Sequence, residues 1–238
     1  MTNSPVGPHQ ALRLVGAASA WVLAPALGWA AVPYFLWSWT LQTYRAAAMA
    51  LLGYLLVGLL VGAATGLGQG LAMRLVGRPA AGWLLATMVG YGLALPGGLL
   101  IGLLFASTMW QLNFGSLLLP LNDPGSVTYY AFPGSLVFAG FLAGVCQWAA
   151  LRSHFVQPTR AMQALWVLGA WLGIGLGLFV GGTVATRLIG TVAPASGAYG
   201  VVWGAAWGSV VGLVSAGVLW ILRREARRTK LPAVGGDA

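Results

Sequence analysis

Six long apolar runs constrain this 238-residue chain more than any other feature. A helix needs roughly 20 apolar residues to cross the hydrocarbon core of a bilayer. Lipid offers the backbone no hydrogen-bonding partners, so such runs fold as helices that satisfy their own peptide groups. The runs cover residues 17–39, 46–73, 82–108, 130–151, 163–186 and 199–222. They predict an all-α integral membrane protein with six transmembrane helices in a single domain over residues 1–238.

Composition excludes an ordinary water-soluble domain. Hydrophobic residues make up 59% of the chain, charged residues only 6%, and the mean hydropathy is +0.84. Soluble domains carry about 25% charged residues. The net charge of +9 does not indicate a nucleic-acid partner, because the basic residues lie in short inter-helix loops and at the C-terminus. The expected surroundings of the chain are therefore a lipid bilayer.

The basic residues predict how the chain is oriented. Cytoplasmic loops of membrane proteins carry an excess of Lys and Arg. With the N-terminus inside, only Arg45 and Arg187 of the 12 basic residues face the outside. An even number of spans then places both termini in the cytoplasm. We expect a multi-pass protein of the bacterial inner membrane in this orientation.

Two stretches near the ends of apolar runs share one pattern. GLGQGLAMR at residues 66–74 and GVCQWAALR at residues 144–152 each carry a glutamine three residues after a glycine and five before an arginine. A short basic loop follows each stretch, and then comes an element that runs from tryptophan to glycine, at residues 83–90 and 166–173. These stretches predict two copies of one helical hairpin.

A third copy of the hairpin is found when the last apolar run is paired with the first, as in a circular permutation. The Trp-to-Gly element recurs near the N-terminus at residues 21–28, and the last run carries Gly208, Gly212 and Ser215, with serine in the place of glutamine. All copies of each element cross the membrane in the same direction, so they are parallel repeats. We expect three helical hairpins, circularly permuted and related by a pseudo-threefold axis along the membrane normal.

Small residues recur at every fourth position in the first helix of each unit. Such a stripe lets two helix backbones approach closely, with van der Waals contact and weak Cα–H···O bonds. The pattern predicts helix packing and does not identify a partner. The predicted packing residues are Gly62, Gly66, Gly140, Gly144, Gly208 and Gly212.

Gln69, Gln147 and Ser215 are the polar residues of this repeated pattern. A buried amide in lipid must be hydrogen-bonded. Two interpretations remain open: a polar clasp between helices, or a ring that contacts a ligand such as a polar head group or the metal of a pigment.

Tryptophan and arginine mark the predicted boundary with the cytoplasm. Trp21, Trp83 and Trp166 open their helices where the amphipathic indole prefers to lie. Arginines follow the glycine-bearing helices at the same boundary, where they orient a helix or meet anionic lipid. The predicted interface anchors are Trp21, Trp83, Trp166, Arg74, Arg152, Arg223 and Arg224.

The pattern Gly-x-x-Gln-(Trp)-x-x-Leu-Arg, a basic loop and Trp-Val-Leu-Ala/Gly-x-x-x-Gly resembles uncharacterised multi-pass membrane proteins of cyanobacteria and filamentous phototrophs. The resemblance covers residues 62–92 and 140–177, and more weakly residues 21–28 and 204–224. The first copy has Gly70 where the pattern favours a tryptophan. The resemblance implies a fold of this type and a photosynthetic or respiratory complex as host.

Ionisable residues are scarce in the predicted helices. The acidic residues Asp123, Glu225 and Asp237 lie in a loop and in the C-terminal tail, and His9 and His154 lie outside the spans. Ion-coupled transporters place ionisable groups near the middle of the membrane, and haem is usually held by a helix histidine. We therefore expect neither an enzyme nor a metal site.

The favoured hypothesis is a non-enzymatic accessory or scaffold subunit of a larger membrane complex, with other membrane subunits as partners. The apolar outer loop at about residues 109–129 either packs on the membrane surface or docks such a subunit. One alternative is a passive channel or facilitator for a small neutral solute, with the polar ring along its route. Another is a protein that binds lipid, carotenoid, chlorin or quinone.

Overall fold

The computed structural model describes residues 8–43, 47–75, 81–114, 124–155, 158–189 and 197–228. The helices are α1 (Pro8–Thr43), α2 (Ala47–Leu75), α3 (Ala81–Phe114), α4 (Pro124–Leu151), α5 (Arg160–Ile189) and α6 (Gly197–Arg228), with a short 3-10 turn at Arg152–His154. No strand occurs within these ranges. Helices α1, α2, α3, α5 and α6 are long and apolar enough to cross a membrane, and among the described side chains of α4 the apolar segment is Phe138–Leu151. The prediction of an all-helical protein with six helices is thus confirmed, and five of them have the length and composition of membrane spans.

The helices extend beyond the predicted spans, most clearly at the outer loop expected over residues 109–129. α3 continues to Phe114, and α4 begins at Pro124, a residue that suits the first turn of a helix because its missing N–H would have no partner there. The connection is therefore shorter than predicted. Asp123, which was expected in a turn of this loop, lies outside the described residues.

The six helices form a closed ring. Each helix contacts its neighbours in the sequence, and α1 also contacts α6. Neighbours run antiparallel: Gly66 near the end of α2 lies against Leu84 near the start of α3. One end of the ring therefore carries the N-terminus of α1 and the C-termini of α2, α4 and α6. We call it the basic end, because these termini carry Arg13, Arg74, Arg152, Arg223 and Arg224.

The predicted glycine stripes line three of the six helix seams, those between α2 and α3, α4 and α5, and α6 and α1. All six glycines of the predicted stripes are buried. A Cβ atom at Gly62, Gly140 or Gly208 would come within 2.9 Å of a backbone Cα on the facing helix. The facing pairs are Gly62 with Met88, Gly140 with Trp171 and Gly208 with Ala26. In each seam the facing residue stands five positions after the tryptophan that opens the Trp-to-Gly element, so all three seams have the same register.

The other three seams use the glycine that ends the Trp-to-Gly element. Each such glycine faces the position three residues after the stripe glycine of the next helix. The facing pairs are Gly28 with Thr65, Gly90 with Ala143 and Gly173 with Val211. Both kinds of seam therefore recur around the ring with equivalent residues in contact.

We expect Gly62→Ala to lower the free energy of unfolding, by about 1–3 kcal/mol. A Cβ atom there would stand 2.7 Å from Met88 Cα and 2.8 Å from the carbonyl oxygen of Thr87, and a backbone cannot move aside as a flexible side chain can. Thermal unfolding of the purified protein in mild detergent measures the change.

Gly217→Ala is the matched control on the exposed face of α6. No heavy atom lies within 4 Å of its Cβ position, so the added methyl group should be neutral or slightly stabilising through helix propensity. Equal unfolding temperatures for the two variants would contradict the close backbone contact at Gly62.

Candidate functional site

Three indole rings meet inside the ring of helices at the basic end. The ring centroids of Trp21 and Trp83 are 5.8 Å apart, and those of Trp83 and Trp166 are 5.7 Å apart. The three side chains are 5%, 1% and 1% exposed, respectively. We call them the tryptophan layer. They belong to α1, α3 and α5, so the three Trp-to-Gly elements converge on one place.

The interior position of this layer corrects the prediction that Trp21, Trp83 and Trp166 are interface anchors. An anchor presents its indole to lipid head groups on the outer surface, whereas these indoles are buried within the bundle. The physical reason is the contact between α2 and α3 beside the indole. The residue after Trp83, Leu84, contacts Gly66 across the seam, and this contact turns the adjacent indole toward the interior.

Two of the three indoles donate a hydrogen bond to the polar residue of their own hairpin seam. Trp83 Nε1 donates to Gln69 Oε1 at 3.2 Å, and Trp21 Nε1 donates to Ser215 Oγ at 2.9 Å. Ser215 in turn donates to the carbonyl oxygen of Gly212 at 3.0 Å. Gln69 therefore links α2 to α3 through Trp83, and Ser215 links α6 to α1 through Trp21. The two polar residues do not bond to each other across a central axis.

The third position of the layer differs. Gln147 on α4 stands where Gln69 stands on α2, and it is only 5% exposed. Trp166 Nε1 is buried and has no hydrogen-bond partner in the structure. The tryptophan layer therefore contains two indoles that bond directly to the polar residue of their seam and one, Trp166, whose Nε1 has no partner.

A second group of aromatic rings fills the ring of helices further from the basic end. Trp29 stacks on Trp207 with centroids 4.3 Å apart, and it packs in a T-shaped arrangement with Tyr91 at 5.8 Å. Sequence reasoning missed these residues. The available signal was spacing, because Trp29 follows Trp21 by eight residues and Tyr91 follows Trp83 by eight, which places each pair on one helix face.

Two threonines add polar atoms to the interior, and neither was identified from the sequence. Thr65 lies one turn before Gln69 on α2, and Thr87 lies one turn after Trp83 on α3. Both are 0% exposed, and neither hydroxyl has a hydrogen-bond partner in the structure. The signal in the sequence was weak: one hydroxyl four residues from each member of the Trp83–Gln69 pair.

The arginines expected at the membrane boundary lie at the basic end of the ring. Arg74 and Arg152 are exposed, and Arg223 is half-buried. Arg224 is exposed and places its guanidinium group 5.6 Å from the ring centroid of Trp220, an outward-facing indole that is 62% exposed. A cation over an exposed indole is an arrangement suited to the head-group region of a bilayer.

The chemistry open to the tryptophan layer is hydrogen bonding between neutral groups. The buried polar side chains of the described residues are Thr65, Gln69, Thr87, Gln147 and Ser215. No group of three or more His, Cys, Asp or Glu residues that could hold a metal ion occurs within the described ranges. The indoles of the layer can therefore donate hydrogen bonds to a neutral molecule, and the amide and hydroxyl oxygens of these side chains can accept hydrogen bonds from one.

Comparisons of the chain with protein-family models, with curated proteins and with solved structures give no match.

We expect the Trp83–Gln69 hydrogen bond to contribute about 0.6 kcal/mol and at most about 1.7 kcal/mol to stability, as such bonds do between membrane helices. The coupling free energy is measured by a double-mutant cycle of Trp83→Phe and Gln69→Leu in detergent. Trp220→Phe combined with Gln69→Leu is the control, because the exposed Trp220 does not contact Gln69 and the two effects should add. A coupling near zero for Trp83 and Gln69 would show that the bond does not stabilise the seam.

Proposed function

We propose that this protein is a non-enzymatic accessory or scaffold subunit that acts through its outer surface within a larger membrane complex. The observation that carries the proposal is a filled interior. Trp29, Trp83, Trp166 and Trp207 are each 1% exposed and occupy the space that the helices enclose. A bundle whose centre is packed with indoles offers its outer surface, rather than an axial route, as the place where it meets other molecules.

The outer surface supports the proposal because it is apolar on every helix. Soluble monomers rarely expose apolar patches of more than a few hundred Å², so such a surface is suited to lipid and to other membrane helices. The most exposed large side chains include one from each helix, at 52–75% exposure: Leu27, Leu67, Leu104, Phe141, Phe179 and Leu213.

The finer architecture belongs to the same proposal. We infer that three hairpins, α6 with α1, α2 with α3 and α4 with α5, are related by a pseudo-threefold axis along the membrane normal. The repeated registers of both kinds of seam support this, since equivalent residues face each other in all three copies. A photosynthetic or respiratory complex as host is supported only by the resemblance of the repeated pattern.

The orientation of the protein is proposed from its charge. The described arginines concentrate at the basic end, and Arg187 lies near the other end. The positive-inside rule then places the basic end, and with it both termini, in the cytoplasm of a bacterial cell.

An impermeant maleimide tests this orientation in intact cells. In a Cys146→Ser background, we expect Ser153→Cys to be labelled only after the inner membrane is permeabilised, because residue 153 is exposed at the basic end. Ala198→Cys, exposed at the start of α6 and so at the opposite end, should be labelled without permeabilisation. The reverse pattern would contradict a cytoplasmic basic end.

Photo-crosslinking from the outer surface tests the proposed function. A photoreactive residue is placed in turn at six outward positions, one on each helix, and the cells are irradiated before mild detergent extraction. We expect protein crosslinks from one or two neighbouring helices and lipid crosslinks from the others, because a docked subunit covers only part of the surface. The six positions are 27, 67, 104, 141, 179 and 213.

The control variants place the same photoreactive residue inside the bundle, at positions 29 and 207, where both native side chains are 1% exposed and the chain itself lies within reach. Lipid crosslinks from all six outward positions would contradict a subunit role. A solute flux into liposomes that is lost in the double variant Gln69→Leu, Gln147→Leu would favour a facilitator instead.

A further inference from the structure

The three equivalent indole positions can be compared by the hydrogen bond that each N–H group makes. At two of them the indole N–H reaches a side-chain oxygen across the seam, at 3.2 Å for Trp83 and Gln69 and 2.9 Å for Trp21 and Ser215. At the third, Trp166 Nε1 has no partner although the glutamine of the pattern is present as Gln147. A buried donor without a partner costs free energy, and inside a bilayer bulk water cannot satisfy it.

Two hydroxyl groups without a hydrogen-bond partner also lie on α2 and α3. The rings of Trp166 and Trp83 pack in a T-shaped arrangement, and Thr87 stands one turn along α3 from Trp83. Thr65 stands one turn from Gln69 on α2, and both hydroxyls are fully buried without partners. The repeats do not require hydroxyls, because the positions equivalent to Thr87 hold Pro25 and Ala170, and neither side chain can form a hydrogen bond.

The seam beside Trp166 also differs from the equivalent seams in its aromatic residues. Trp148 follows Gln147 where α2 has Gly70, and it is 6% exposed. Phe155, just after the 3-10 turn, stacks on Trp148 with centroids 6.0 Å apart. Trp148 and Trp166 belong to one buried hydrophobic cluster, so the indole donor of Trp166 lies in apolar surroundings.

These groups define the chemistry of a ligand. An indole N–H can only donate, so the ligand must present an acceptor. The buried polar side chains of the described residues are amides and hydroxyls, none of them charged, and an ion would be poorly solvated among them. We propose that Trp166 provides the donor of a binding site for a neutral molecule whose oxygen accepts the hydrogen bond of Trp166 Nε1.

Such an oxygen has two sources, a buried water molecule or the carbonyl or hydroxyl group of a lipophilic molecule that enters from the bilayer. Both make the same bond to the indole. The site is independent of the proposed subunit role, since it is internal and needs no protein partner.

Nuclear magnetic resonance of the full chain in mild detergent, with isotope-labelled tryptophan, tests the site directly. Trp166→Phe assigns the indole signal by its disappearance. We expect the indole proton of Trp166 to resonate downfield of that of exposed Trp220, as a hydrogen-bonded proton does, without a cross-peak to the side-chain amide of Gln147. A cross-peak to that amide like the one expected between Trp83 and Gln69, or a shift typical of a free indole, would overturn the proposal.

Gln147→Met keeps the length of the side chain and provides a second test that does not depend on Trp166→Phe folding. The Trp166 indole proton should stay downfield in this variant, because its acceptor is not the amide. In Gln69→Met, by contrast, the Trp83 proton should move upfield. An upfield move of the Trp166 proton in Gln147→Met would show that the two residues bond directly and would refute the site.

The source of the oxygen is resolved in the same preparation. A cross-peak between the Trp166 indole proton and water identifies a bound water. A small molecule found by mass spectrometry in an organic extract, lost in Trp166→Phe and retained in Trp220→Phe, identifies a lipophilic ligand. The absence of both signals would overturn the proposal, while crosslinking to a partner subunit would be unaffected.

Discussion

Contact between helix backbones at glycine is the interaction on which the rest of this structure depends. In lipid, apolar side chains gain little by leaving one apolar environment for another, so helices associate through close fit. At Gly62, Gly140 and Gly208 the missing side chain lets the facing backbone come nearer than any Cβ atom would permit. Because the same contact recurs in three seams with one register, it sets the spacing of the whole ring.

The narrow seams explain why the largest side chains lie inside. Where glycine brings two backbones together, the adjacent residue turns toward the interior, and at these positions the chain has Trp21, Trp83 and Trp166. Each buried indole carries an N–H group that lipid cannot satisfy. Gln69 and Ser215 accept the hydrogen bonds of Trp83 and Trp21. These two polar residues of the repeated pattern therefore compensate for the burial of tryptophan beside a glycine seam.

The helical fold could be predicted because lipid leaves apolar backbone few alternatives, and the seams could be predicted because small residues at every fourth position present one helix face. The side of each helix on which a tryptophan lies could not be predicted. Trp83 stands near the start of α3, where an indole suits a lipid interface equally well, and only its neighbour Leu84, packed on Gly66, shows that it turns inward. The hydroxyls of Thr65 and Thr87 were missed for a related reason. A helix hydroxyl usually bonds to its own backbone, as Ser209 does with Ala205, and the pattern gives no sign that these two do not.

The seam between α1 and α6 joins the first helix of the chain to the last, and this has a consequence for how the protein is made. As the chain leaves the insertion machinery, α2 and α3 can associate at once, and so can α4 and α5. α1 can meet α2 early, through the seam of Gly28 and Thr65, but its glycine-stripe seam is made with α6. Trp21 obtains the oxygen of Ser215 only after α6 has entered the bilayer. We therefore expect the seam between α6 and α1 to close last, and until then the face of α1 that α6 covers is open to lipid.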